Sequence, residues 1–321
     1  MILYHLAAVT IAFMLDWLVG DPPRWPHPVR WMGSLIACVD RKWNKGQFRK
    51  WKGVGMVLIV LTVVMLITAL SVVGFYAIHP AAGIAWEAIL ISTTVAQKSL
   101  QEAALDVYKP LKAGEIGEAR RKLSYIVGRD TDGLNQEEIV RGTVETVAEN
   151  TSDGVTAPLF WGLLGGAVFS VAYRAINTCD SMVGYRNEKY RQFGWASARL
   201  DDVANWLPSR LTSLLMIVCM QPAMISRKQA WKIVIRDAKK HPSPNSGWCE
   251  AACAAILSVQ LCGTNYYKGI VSFRAKMGDP ILSLEKKHIL SSITLMKRAS
   301  LLFLLLLWLG GLAFEYAIAR F

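Results

Sequence analysis

The sequence predicts an all-α fold: a polytopic helical integral membrane protein with broken or re-entrant helices and a polar helical subdomain on the cytoplasmic side. Three observations predict it. First, 53% of the 321 residues are hydrophobic and only 19% are charged, against about 25% charged in a soluble domain. Second, Asp, Glu, Lys and Arg are absent from Gly154–Tyr173, Leu211–Ser226, Ala251–Tyr267 and Ala299–Phe314, and from Gly53–Trp86. Third, the net charge of +12 is concentrated. Segment 21–52 has eight basic residues against two acidic, 225–250 six against two, and 264–298 seven against two. Basic blocks beside apolar spans are the positive-inside pattern and assign those loops to the cytoplasm. Disorder, collagen-like repeats and a disulfide scaffold are excluded, and a fully water-soluble globule does not fit. No helix-turn-helix, finger or RNA-binding signature accompanies the basic charge, so no nucleic-acid partner is expected. The expected environment is the lipid bilayer of the cell membrane, crossed several times.

Met1–Val19 reads as a span with Asp16 near its end, and its non-basic start argues against a cleavable signal. Val54–Ile78 is the clearest span, since about 20 apolar residues cross the hydrocarbon core. His79-Pro80 ends it, and Ala81–Ala96, which contains Glu87, reads as the return half of a hairpin. Residues 98–153 differ, with eight basic and eleven acidic residues. They predict amphipathic helices over Asp106–Arg129 and Glu137–Glu149, with breaks at Lys109-Pro110 and Gly128. Segments 155–176 and 203–224 are interrupted by Pro158, Arg174, Pro208, Arg210 and Pro222, as in broken helices beside protein or a wet cavity. Segment 251–267 reads as a packed small-residue helix, and Ser300–Ala319 as a last span. The expected organisation is therefore 1–97, 98–153, 154–263 and 264–321. The six cysteines form no CxxC pair or zinc spacing, so Cys249 and Cys253 read as packing residues. Many of the twelve Trp sit at segment edges, as interfacial belts do.

Polar residues collect at the ends of the apolar segments. Gly20–Val29 holds four prolines in seven residues, a rigid loop that fixes Asp21 and His27. Arg141, Glu145, Glu149 and Asp153 recur every four residues on one helical face, with Asn150 beside them. Carboxylates entering an apolar span are costly unless used, and three on one face suit a hard cation such as Mg²⁺. The plain alternative is a solvated face with an Arg141–Glu145 ion pair. Arg174, Asn177 and Asp180 follow twenty charge-free residues. Arg199, Asp201, Asp202, Asn205 and Arg210 enter the next apolar segment. Paired carboxylates with arginine forks suit an Mg²⁺-bound phosphate; helix-to-helix ion pairing is the alternative. In His241–Glu250, Asn245 or Ser246 reads as the cap of a helix running to Leu261. Neither GxxxxGK[ST] nor GxGxxG is present.

The runs GDPPRWPHPVRWMG (Gly20–Gly33), VGRDT (Val127–Thr131), VETVAENTSDGVTAPLFW (Val144–Trp161), YRAINTCDSMVGYRNEKY (Tyr173–Tyr190), ARLDDVANWLPSRLT (Ala198–Thr212) and HPSPNSGWCEA (His241–Ala251) resemble, in order, the motifs of the CobD/CbiB family. Its members are the adenosylcobinamide-phosphate synthases of cobalamin biosynthesis. The resemblance covers residue 16 to about 270. It implies ATP-dependent amide ligation of (R)-1-aminopropan-2-ol phosphate, or aminopropanol, to a carboxylate of adenosylcobyric acid. It leaves room for a homo-oligomer or association with other membrane proteins of the pathway.

Chemistry of that kind suggests roles. A carboxylate must be activated, for example as an acyl phosphate, and the amine must lose a proton. Glu145, Glu149, Asp153, His27 and His241 are the expected acid–base groups. Arg129, Asn150, Arg174, Asn177, Arg199, Asn205, Arg210 and Asn245 are expected on substrate or phosphate. Asp21, Glu149, Asp180, Asp201 and Asp202 are expected on Mg²⁺, with ATP as co-substrate and the active site facing the cytoplasm. Two other classes stay open. One is an Mg²⁺-dependent intramembrane prenyltransferase-like enzyme using Asn177–Asp180 and Asp201–Asn205. The other is a transporter, suggested by broken helices but lacking an inverted repeat.

Overall fold

The computed structural model describes residues 1–22 and 27–318. Part of the expected proline loop, residues 23–26, lies outside the described residues. The helices are α1 (Ile2–Leu18), α2 (Pro28–Trp43), α3 (Arg49–Ile78), α4 (Pro80–Ser92), α5 (Gln97–Ala113), α6 (Ile116–Ser124) and α7 (Gln136–Thr151). A π-helical turn, Ser152–Thr156, joins α7 to α8 (Ala157–Val183). Then come α9 (Trp195–Ala204), α10 (Trp206–Cys219), α11 (Arg227–Asp237), α12 (Ser246–Leu257) and α13 (Lys287–Ile318). The protein is helical as expected, apart from one antiparallel hairpin, β1 (Thr264–Tyr267) and β2 (Ile270–Phe273), with Thr264 opposite Phe273.

Two compact units form, each from segments remote in sequence. The first comprises Met1–Ala96, Gly154–Asn205 and Leu304–Phe321; the second comprises Gln97–Asp153 and Trp206–Phe303. Contacts between distant segments, which no composition shift reports, define this grouping.

In the first unit α3 packs against α2, α4, α8 and α9. Its 30 residues rise about 45 Å, more than the ~30 Å hydrocarbon core. The His79 imidazole accepts a hydrogen bond from Ala81 N (3.1 Å) and Pro80 takes the first helical position of α4, where its missing N–H costs nothing. Three helical runs are long and apolar enough to cross a membrane: Arg49–Ile78, Gln136–Val183 and Lys287–Ala317. The expected span at 1–19 becomes α1, with 17 residues, and the expected broken segment 203–224 becomes α10, with 14; such helices rise only about 26 and 21 Å.

The expected break in segment 155–176 falls at Gly165–Gly166. Gly166 has φ 59° and ψ −151°, a conformation open essentially to glycine. Ala167 N, freed from the helix there, donates to Glu87 Oε1 (3.2 Å). Glu87 Oε2 accepts from Tyr76 OH (3.1 Å) and lies 3.1 Å from His5 Nδ1. The carboxylate in an apolar stretch thus answers the positive end of a restarted helix.

In the second unit α12 packs against α7, α10 and α11. Every residue of α12 except Trp248 is buried, because its Ala, Gly and Cys side chains let neighbouring helices approach closely. Cys249 and Cys253 are packing residues there, and no cysteine of the described residues is in a disulfide. An Asn135–Glu138 capping box starts α7, satisfying two helix-end donors at once.

Three local expectations need correction. Pro110 does not break α5, which runs on to Ala113; the proline sits in the last turn, where little helix remains to disrupt. The start of α12 is not capped by its own boundary residue. The Asn245 side chain makes no capping bond, and Ser243 Oγ instead accepts from Asn245 N and Ser246 N at 3.3 Å each. That helix also ends at Leu257, with Ser258 left-handed at φ 56°, rather than at Leu261.

Candidate active site

A cleft of about 140 Å³ opens in the second unit, lined among others by Arg129, Glu145, Thr146, Glu149, Asn150, Glu250, Tyr267 and Arg274. The four-residue spacing puts Glu145 and Glu149 one turn apart on α7, as expected. Glu145 is held tightly: its carboxylate accepts from Arg129 and from Cys262 N (2.7 Å), and lies 3.8 Å from Arg141 Nε. Arg129 also donates to Asn265 Oδ1. Its fork, expected on phosphate, is therefore engaged by protein partners, and it ties α7 to the hairpin. Arg141 does the same, donating to Cys262 O, Thr264 O (2.9 Å) and Asn265 Oδ1 (3.2 Å). Asp130 accepts from Lys268 N (3.0 Å) and Gly269 N (2.7 Å) at the hairpin turn.

Glu149 is only half-buried and accepts from Ser246 Oγ (2.9 Å). Glu250, one turn into α12, is fully buried; it accepts from Cys262 Sγ (2.9 Å) and lies 3.8 Å from His241 Nε2. Burial, then the nearby Glu149 and Glu145 carboxylates, push Glu250 up to about 8, so it carries a proton at neutral pH. His241 is lowered by burial and by the Arg274 guanidinium, and is neutral there. Ser243 N donates to His241 Nδ1 (3.0 Å), directing Nε2 toward Glu250 and Arg274, the latter at 3.5 Å. Arg274 also donates to Tyr267 OH (3.1 Å). The cleft therefore holds an accessible carboxylate, a protonated carboxyl and a guanidinium, with a neutral imidazole packed against the last two.

Other residues expected in this region lie apart from the cleft lining. Asp153 falls on the π turn, where the widened helix breaks the four-residue register. Arg210 lies over the rings of Trp206 (4.4 Å) and Trp248 (4.9 Å) and donates to Trp206 O and Asn245 Oδ1 (3.2 Å). Arg210 and Asn245 thus form a stacked clamp.

A second polar group lies in the first unit. Asn177 Nδ2 donates to Asp201 Oδ1 (3.4 Å), Arg174 to Asn177 Oδ1 (3.5 Å), and Tyr173 OH to Asn205 Oδ1 (2.6 Å). Arg199 pairs with Asp202 at 3.7 Å. Desolvation, with Asp180 alongside, pushes Asp201 up to about 7. No three His, Cys, Asp or Glu side chains gather as a ready-made metal shell among the described residues. Asp180, Asp201 and Asp202, expected on Mg²⁺, therefore form no such shell.

Asp21 and His27 form a pair at 3.1 Å. His27 Nδ1 accepts from Val29 N (3.3 Å) at the start of α2, so Nε2 carries the proton facing Asp21. Both ring nitrogens are thus engaged, one of them in capping the helix, which leaves no free lone pair for the acid–base role expected of His27.

Sequence reasoning missed Glu250, Tyr267 and Arg274. Tyr267 and Arg274 sit in a segment whose basic charge reads as a membrane-flanking loop, and nothing in its spacing brings them to α7. Glu250 carried a signal: a carboxylate opening an otherwise apolar small-residue helix.

The fold and site define a helical membrane protein with a buried acid–base cleft in one unit and an aspartate–asparagine group in the other. The family comparison then specifies it: residues 9–296 match the model of the CobD/Cbib protein family, and the chain belongs to that family. It is 54% identical to the cobalamin biosynthesis protein CobD of Halalkalibacterium halodurans, over 99% of this chain and all of that relative. It is 46% identical to the CobD of Geobacter metallireducens, over 94% of this chain and 95% of that one. It is 44% identical to the cobalamin biosynthesis protein CbiB of Salmonella arizonae, over 96% and 99%. No solved structure matches.

Proposed function

We propose that this chain is the adenosylcobinamide-phosphate synthase of a cobalamin pathway, joining (R)-1-aminopropan-2-ol phosphate to a carboxylate of adenosylcobyric acid with ATP consumed. Family membership supports the reaction, and one observation carries the reading to these residues: Glu145, Glu149, Glu250 and Arg274, from separated segments, line one polar cleft, with His241 against Glu250 and Arg274.

The chemistry has two steps. A corrinoid carboxylate oxygen attacks the γ-phosphorus of ATP, and ADP leaves, giving an acyl phosphate. The amine then attacks the acyl carbon, and phosphate leaves as the amide forms. The ammonium must first lose a proton, and Glu149, whose carboxylate opens to the cleft, accepts it. Arg274 offers its fork to the phosphate of the amino alcohol, with Tyr267 OH as a second donor. Glu145, fixed by Arg129 and Cys262 N, keeps α7 in place. Protonated Glu250 donates to a developing oxyanion or leaving phosphate. Mg²⁺ would neutralise polyphosphate charge, with one or two of Asp180, Asp201 and Asp202 as its protein carboxylates. The reading assigns the site to the cytoplasmic side, where ATP is and where basic loops belong.

The test is purified protein with adenosylcobyric acid, aminopropanol phosphate and MgATP, read by mass spectrometry. The amide product and ADP are expected in equal amounts. Absence of product with this amine and with unphosphorylated aminopropanol refutes the reading. A product with a prenyl diphosphate instead would favour the prenyltransferase class.

A further inference from the structure

A second cleft lies in the first unit, where only Arg199 and Asp202 of its lining have entered so far. It measures about 400 Å³ and is walled by Tyr185, Arg186, Tyr190, Arg191, Trp195 and Arg199, with Asp202 at one side. Small-molecule sites run from about 300 to 1,000 Å³. A nucleotide fits that range, whereas the 140 Å³ cleft of the second unit holds only something the size of an amino-alcohol phosphate.

The wall is preorganised. Tyr190 OH and Lys189 Nζ donate to Asp40 Oδ2 (3.1 and 3.4 Å), and Asn44 and Arg49 both donate to Lys189 O. Phe193 is fully buried, and Gly53 of α3 abuts its carbonyl so closely that a Cβ would stand 1.8 Å from the oxygen. The loop is thereby pinned to α2 and α3. Lys189 is occupied by Asp40, and Arg199 pairs with Asp202. Among the described residues the guanidinium groups of Arg186 and Arg191 make no hydrogen bond or salt bridge, and both are exposed. Lys50 adds a further cation 3.9 Å above the Trp195 ring. Three guanidinium groups beside one carboxylate leave the wall with an excess of positive charge, and such forks match phosphate oxygens in pairs. Tyr185 offers a flat ring face to a base, and Trp195 offers the face opposite Lys50.

We propose that this cleft binds a nucleoside triphosphate, its phosphates on Arg186, Arg191 and Arg199 and its base against Tyr185 or Trp195. The inference rests on the ATP-consuming reaction proposed above. Arginine with Trp and Tyr also marks bilayer interfaces, and a lipid phosphate would meet the same forks. A lipid headgroup has no use for three rings walling a concavity, so the nucleotide is favoured.

The experiment measures binding of a fluorescent trinitrophenyl-ATP to the detergent-solubilised full chain, without corrinoid or amine. Expected is saturable binding, displaced by ATP. It should weaken tenfold or more in R186A/R191A and several-fold in W195L, with melting temperatures unchanged; R186K/R191K should lie between. R121A, whose arginine pairs with Glu118, should bind as the parent does. In parallel, flotation with phosphatidylglycerol vesicles should not distinguish R186A/R191A from the parent. Nucleotide binding that survives in R186A/R191A overturns the cleft while leaving the ligase reading intact. Loss of vesicle binding with nucleotide binding intact assigns the forks to lipid and also overturns it. A parent that neither binds nucleotide nor makes amide overturns both readings; one that makes amide without binding overturns the cleft alone.

Discussion

Glu149 differs from its neighbour Glu145 by a single turn of α7, yet the two are in opposite conditions. Glu145 is gripped by Arg129 and a backbone N–H, while Glu149 faces the cleft with one hydroxyl bond. Glu149→Gln should therefore lower turnover at least a hundredfold, about 3 kcal/mol, with an unchanged melting temperature; near-normal activity across Mg²⁺ concentrations would remove it from the chemistry. Glu250 leads to a pH prediction. Its folded value of about 8 lies above the ordinary 4.5, so the folded state holds the proton more tightly. Its contribution to stability is complete below pH 4.5 and is lost as pH rises toward 8. Melting temperature of the parent should fall across that window, and Glu250→Gln, which mimics the protonated acid, should flatten the profile. Asp237 runs the other way. Although burial opposes it, hydrogen bonds from Arg236, Lys240 and Gly278 N hold it down to about 2. Linkage puts its stabilisation at about 2 kcal/mol, and solvent screening around the half-exposed Arg236 and Lys240 trims that figure. The stabilisation is present above pH 3.8 and lost as pH falls through 2. Asp237→Asn should cost about 1–2 kcal/mol at pH 7, read by chemical denaturation, and the difference should close in acid.

At the scale of elements, the break in α8 has a definite cause. Gly166 takes φ 59°, and a Cβ there would stand 2.1 Å from Glu87 Oε1 and 2.6 Å from the His5 ring. Gly166→Ala must both strain the backbone, at about 1–3 kcal/mol, and displace the Glu87 carboxylate from Ala167 N. A drop of several degrees in the melting temperature of the detergent-solubilised protein is expected; an unchanged value would mean that α8 can run straight. That segment 155–176 is broken was legible, but the reading placed the interruption at Pro158 and Arg174, whereas the structure puts it at Gly165–Gly166. The partner was not legible, since Glu87 lies 80 residues away on α4 and reads locally as a blemish in a hairpin. The hairpin β1–β2 escaped for a related reason. Its strands are four residues each, and what holds them is Arg129, Arg141 and Asp130 from the polar segment, not their own pattern.

For the whole molecule, the orientation expected from the charge pattern is open to a labelling test. Asp132→Cys, in the polar segment, should resist an impermeant maleimide added to intact cells and react once the cells are permeabilised. Glu188→Cys should do the same if its loop meets cytoplasmic nucleotide. Labelling of either from outside would reverse the orientation of that segment. The native cysteines make a usable background, because Cys179, Cys249, Cys253 and Cys262 are buried and only Cys38 and Cys219 are half-exposed.

What the sequence by itself determined is what depends on local periodicity and composition. Charge-free runs yield the long helices, the four-residue spacing puts Glu145 and Glu149 on one face, and the ordered motifs identify the family. Where a competing local interaction intervened, the local reading failed. His27 is engaged at both nitrogens, one of them capping α2, and the π turn carries Asp153 off its stripe. Only the tertiary structure decided that Arg129 is a tie while Arg274 lines the cleft, that Glu250 keeps its proton, and that segments far apart share a unit. Those outcomes depend on desolvation and on contacts between segments remote in the chain, and neither quantity is carried by a residue's neighbours in sequence.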